Sequence, residues 1–79
     1  MHIISLVCTI FRASDKVAVE WRKNDMVLHA LDIATETEKR IQIGVGYTLE
    51  LNLLQLNDTG MYSCYVAFIL ANQYLVTGI

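Results

Sequence analysis

Apolar positions along this chain recur every second residue in short runs, the period of a strand with one buried face. Ile4, Leu6 and Cys8 alternate with Ser5, Val7 and Thr9, and the run continues through Ile10 and Phe11, predicting a mostly buried first strand. Arg12-Ala-Ser-Asp15 breaks it, and Val17, Val19 and Trp21 then follow with strict period two, ending near Lys23. Asn24-Asp25 is a pair that tolerates left-handed backbone, so Met26-Val27-Leu28 is expected to return as the second arm of a hairpin.

Residues 29 to 40 contain good helix formers, but Ile33, Thr35 and Thr37 interrupt them and no apolar stripe at helical spacing is sustained. The segment reads as a surface connection holding at most one short strand or helical turn. Ile41 and Ile43 begin another strand, and Gly44-Val-Gly46 allows a sharp turn or bulge. Leu49, Leu51 and Leu54 alternate before the turn-forming Asn57-Asp58-Thr59-Gly60. Tyr62, Cys64, Val66 and Phe68 then line one face of a strand, and Ala71-Asn72-Gln73 is expected to turn the chain into a last strand, Tyr74 to Val76. Seven extended segments punctuated by turns indicate an all-β sandwich or barrel.

Length limits the chain to one domain, because 79 residues barely bury enough apolar surface to offset chain entropy. With 18% charged residues and a net charge of −2, the composition argues against disorder and against a nucleic-acid partner. No apolar run reaches the 18 or so residues of a membrane span, so any membrane attachment is expected from flanking sequence only. No Lys or Arg precedes the apolar run at the N-terminus and Arg12 follows it, which makes a signal peptide ending near Ala13-Ser14 a poor reading.

Cys8 and Cys64 lie 56 positions apart, too far for a redox or zinc motif, and a single long-range bridge is the favoured reading. Such a bridge implies an oxidising compartment, whereas two free thiols in a cytosolic domain remain the alternative. His2 and His29 neighbour no cysteine at ligand spacing, so no metal is expected. Gly44-Val-Gly46 lacks the rest of a nucleotide-binding loop, and Glu36 and Glu38 read as a solvated face. No nucleophile, base and oxyanion donor assemble from spacing, so neither catalysis, a cofactor nor a small-molecule substrate is expected.

The segment Leu49-x-Leu51-x-x-Leu54-x-x-x-Asp58-x-Gly60-x-Tyr62-x-Cys64 resembles the E–F corner of immunoglobulin domains, and Cys8 with Trp21 thirteen residues on resembles their B–C pair. The resemblance runs from Ile3 to about Val76 and is nearest to the intermediate or short variable-type sets. It implies an immunoglobulin-like β-sandwich of two antiparallel sheets with Greek-key connections, a single domain over residues 1–79 with strands B to G and no strand A. It also implies a Cys8–Cys64 disulfide across the core with Trp21 against it, and a Tyr62 hydroxyl bound to backbone upstream. Gly60 is expected to give the turn its freedom, and Arg40 and Asp58 to pair at the base. Asn57-Asp58-Thr59 fits the glycosylation pattern, although Asn also suits such a turn for its backbone preferences.

The function implied is extracellular protein–protein recognition or cell adhesion, the partner being another cell-surface or secreted protein or a second copy. The alternative is a structural spacer in an intracellular or matrix array. If Trp21 and Cys64 point inward, then Glu20, Arg22, Ser63, Tyr65 and Ala67 share the outer face of the C–F–G sheet, with Met26 or Leu28 extending it from C′. Edge pairing at the first strand, near Ile3 to Val7, is a competing site.

Overall fold

The computed structural model describes residues 3–11, 17–28 and 40–78. The surface connection expected over 29–39 and the break at 12–16 lie outside them. Seven strands occur among the described residues: β1 (Ile3–Leu6), β2 (Val19–Lys23), β3 (Met26–Val27), β4 (Ile41–Ile43), β5 (Leu49–Asn52), β6 (Gly60–Val66) and β7 (Ile69–Val76). They form two antiparallel sheets, one ordered β1-β5-β4 and the other β3-β2-β6-β7. This is the all-β sandwich that the alternation predicts.

Period two decides what lies between the sheets. Leu6, Leu49 and Leu51 from one sheet, with Cys8 just past the end of β1, meet Trp21, Tyr62, Cys64, Val66 and Val76 from the other, all buried, with Ile4, Val17, Val19, Ile41 and Leu54 packed around them. The disulfide Cys8–Cys64 ties the sheets with Cα atoms 5.8 Å apart. Trp21 pairs directly with Cys64 across β2 and β6, and its indole Nε1 donates to the Tyr47 carbonyl at 2.7 Å. A buried indole N–H needs such a partner. Here it comes from the 3-10 turn Val45–Tyr47, where Gly46 and Tyr47 both take positive φ.

The β2–β3 hairpin closes through Asn24 and Asp25, at φ 51° and 66°, as their chemistry predicts. Several expectations need correction. Ile10 and Phe11 do not continue a buried strand: β1 ends at Leu6 and both side chains are exposed. The chain turns at Ala67-Phe68 and not at 71–73, so β7 starts at Ile69, pairing Val66 with Ile69, and Phe68 is exposed at the tip instead of facing the core. Asn72, read as a turn former, lies within β7, where its amide accepts from the Thr9 backbone N–H at 2.5 Å and donates to the Thr9 hydroxyl at 3.2 Å. Gly60 is also not a flexible turn residue. It begins β6 without a positive φ, and a Cβ there would meet the Asn24 side-chain amide at 2.9 Å, so a larger residue would have to displace the end of that side chain.

Candidate functional site

Two groups of residues singled out in the sequence lie on opposite sides of β6. The inward set closes the base of the sandwich. A second 3-10 turn, Leu56–Asp58, begins after Gln55 and carries a reciprocal cap in which the Gln55 N–H donates to Asp58 Oδ2 at 2.8 Å. The same oxygen receives Arg40 Nη1 at 3.0 Å, and both side chains of this pair are buried. Four residues on, the Tyr62 hydroxyl donates to the Asp58 carbonyl at 2.6 Å. Asp58 thus serves the corner with both side chain and backbone. Burial, reinforced by the Asp58 charge and opposed by Arg40, pushes the Tyr62 phenol up to about 12. Lys23 lies over the Tyr62 ring, 5.7 Å from its centroid, and donates to the Asn57 carbonyl.

The outward set is ordered by strand register, since directly opposed residues share a face. One row across the sheet runs Val27, Arg22, Ser63, Gln73; the next runs Glu20, Tyr65, Leu70; a third pairs Met61 with Leu75. Glu20 accepts from Arg22 Nε at 2.5 Å, and the Arg22 guanidinium lies 3.9 Å from the Tyr65 ring centroid, so one carboxylate and one aromatic face hold the same cation. Ser63, flanked by Arg22 and Gln73, is buried although it points outward, and accepts from Gln73 Nε2 at 3.3 Å. Around this polar centre Leu75 is 72% exposed, Leu70 45% and Met61 36%.

Three of the face residues read from the sequence are placed elsewhere. Register sets Val27, not Met26 or Leu28, beside Arg22; Met26 opposes Lys23 on the other side of the pleat, and Leu28 packs against the core. Ala67 occupies the β6–β7 turn at φ 50°. Leu70 and Gln73 precede the strand expected at Tyr74 to Val76, and Leu75, inside it, takes its place beside Met61 from a register with β6 that depends on a bulge near Cys64 and Tyr65. The outer face of the other sheet differs in kind: Ser5, Glu50 and Gln42 form one row, and Ile3 with Asn52 the next.

Among the described residues, no three His, Cys, Asp or Glu side chains gather as a metal site, and no helix is long and apolar enough to cross a membrane. A family model described as immunoglobulin domain matches residues 4–77, nearly the whole chain. No curated protein and no solved structure matches it.

Proposed function

The chain belongs to the immunoglobulin domain family, and from that premise we propose that it is an extracellular recognition module engaging another protein through the outer face of β3-β2-β6-β7. Family members are generally binding or structural modules and not catalysts. The observation that carries the reading is the contrast in this face: Leu70, Leu75 and Met61 stay exposed beside a preassembled Glu20–Arg22–Tyr65 cluster. Aromatic, Met and Arg side chains are the types enriched at interfaces, and the Tyr65–Arg22 stack is ordered before any partner arrives. The Cys8–Cys64 bridge supports an oxidising setting over an intracellular spacer. Exposed Asn57, in the Asn57-Asp58-Thr59 pattern on a surface turn, belongs to the same proposal as a glycan acceptor.

The test is binding of the oxidised chain to an array of purified extracellular domains, repeated with Tyr65→Ala and with Leu75→Glu. Binding lost in both, with unchanged unfolding midpoints and full retention in Gln42→Ala on the opposite face, is the expected result. Binding that survives both substitutions overturns the assignment of the face, and an array without a binder overturns the recognition role.

A further inference from the structure

The two ends of the sandwich differ in composition. The Tyr74 hydroxyl donates to the Val7 carbonyl and the Thr9 N–H to Asn72, so the chain leaving β1 runs beside β7 toward the Ala67-Phe68 turn. β5 opposes β1 with Leu49 against Leu6, which puts the turn Val45–Tyr47 at that same end, its last carbonyl held by Trp21. Two hairpin tips, one from each sheet, therefore project the same way. Val45 at one tip is 98% exposed and Phe68 at the other 82%, and Ile10, Phe11, Tyr47 and Ile69 beside them are exposed as well. Among the described residues, none of 7–11, 17–19, 44–48 or 66–70 is charged. At the opposite end the exposed Met26 follows Asp25 and opposes Lys23, and the turn Leu56–Asp58 carries the Arg40–Asp58 pair.

The backbone singles out the same tips. Ala67, Phe68 and Tyr47 hold φ 50°, 65° and 63°, a region where Asn or Gly sits at ease and a bulky side chain is an outlier. A phenylalanine kept at a strained and solvent-exposed position is the kind of outlier that points to function.

We propose that this end seats in the surface of a lipid bilayer with zwitterionic headgroups. Val45 and Phe68 enter the boundary between headgroups and acyl chains, and Tyr47, with an apolar ring and a polar tip, stays at headgroup level. Three observations select this occupant. The tips belong to different sheets, and stacked sheets lie about 10 Å apart, so a folded partner would need two matching pockets whereas a fluid boundary accepts each tip by itself. A protein interface carries roughly one hydrogen bond per 100–200 Å², yet the side chains of Val45, Phe68 and Ile69 offer neither donor nor acceptor. The first charged residues met along β2 and β5 on leaving this end are Glu20 and Glu50, and the whole chain carries −2, so an anionic surface would repel it. Seating by this end leaves the outer face of β3-β2-β6-β7 open to a protein partner.

The contact inserts fewer carbons than one myristoyl chain, whose association constant is about 10⁴ M⁻¹, so binding is expected to be reversible and to need lipid at about millimolar concentration. Flotation of the oxidised chain with phosphatidylcholine vesicles should carry protein up with the lipid. Phe68→Ser and Val45→Ser should each weaken binding roughly tenfold and together abolish it, without lowering the unfolding midpoint, whereas Met26→Ser at the opposite end should change nothing. Phe68→Trp keeps the bulk and reports depth: Trp21 is buried, so a blue shift on adding vesicles and quenching by brominated acyl chains come from position 68. Absence of flotation at lipid concentrations well above that range overturns the proposal, as does flotation that both serine substitutions leave intact. Flotation that requires phosphatidylserine overturns it by assigning the contact to charge. A parent chain that ignores vesicles, but whose binding to a purified extracellular domain is lost in Phe68→Ser, assigns the tip to a protein pocket instead.

Discussion

The inner and outer sides of β6 differ in how their polar groups are held, although they belong to the same seven residues. Inward, Tyr62 and the Asp58–Arg40 pair are buried and mutually satisfied, and each has a partner that cannot be replaced by water. Outward, Arg22 and Glu20 hold each other at a surface where water could serve either, with exposed leucines alongside. The difference teaches that alternation along one strand divides the labour: an inward change is read out as stability, and an outward change, on the function proposed above, as binding.

The sharpest way to break this division is to cut the bridge. Closing a loop of this length stabilises by roughly 4 kcal/mol in the chain-entropy model, a large fraction of a small domain's total. Cys64→Ala is therefore expected to leave little folded protein at about 37 °C, measured by near-ultraviolet circular dichroism, and a variant that unfolds with the parent's midpoint would show that the core holds without its staple. Next comes Arg40→Ala, which strands the Asp58 carboxylate in a buried site. Removing one partner of a buried pair costs about 3–5 kcal/mol. A denaturant series should place the loss in the midpoint and not in the slope.

Tyr62→Phe is expected to cost about 1 kcal/mol for the lost hydrogen bond, more if the Asp58 carbonyl stays dry and unpaired. The same residue gives the comparison a pH signature. The folded phenol titrates near 12 against an ordinary 10.0, so its contribution is complete below pH 10 and disappears as pH rises from 10 through 12, where the unfolded chain ionises first. Wild type should lose stability more steeply than Tyr62→Phe across that window; parallel curves would mean the phenol is not held as described. Smallest, and opposite in sign, is the β6–β7 turn. Ala67 and Phe68 sit at φ 50° and 65°, where L residues with bulky side chains are strained and Asn-Gly is at ease. Ala67→Asn with Phe68→Gly should raise stability by about 1 kcal/mol, read from the midpoint, and no gain would argue that the turn is not left-handed.

These two hairpins also explain what could be read in advance. The β2–β3 turn was legible because Asn24-Asp25 carries the chemistry its backbone needs; the β6–β7 turn was not, because Ala67-Phe68 carries none and Phe68 continued the inward period of Tyr62, Cys64 and Val66. In that hairpin the register of β7 against β6, and not local preference, decides where the chain reverses. The inward residues of most strands, the disulfide, the corner and the Arg40–Asp58 pair followed from period and resemblance. Val27 in place of Met26 and Leu28 did not, since a one-residue difference in hairpin register exchanges the faces of β3. Nor did the roles of Asn24 and Asn72, whose side chains reach across to Met61 and Thr9 and are invisible to any local pattern.

Trp21 has a consequence for observation. It is the chain's single tryptophan, it sits directly across from Cys64 in the bridge, and its ring lies 6.4 Å from that of Tyr74. A disulfide beside an excited indole is an efficient quencher, so the native protein should be dim in fluorescence and brighten on unfolding or on reduction, without any attached dye. The emission maximum should move to the red only when the Tyr47 carbonyl lets go of the indole N–H and water enters. Intensity would then report the bridge and wavelength the packing, two signals from one side chain that separate loss of the staple from loss of the core.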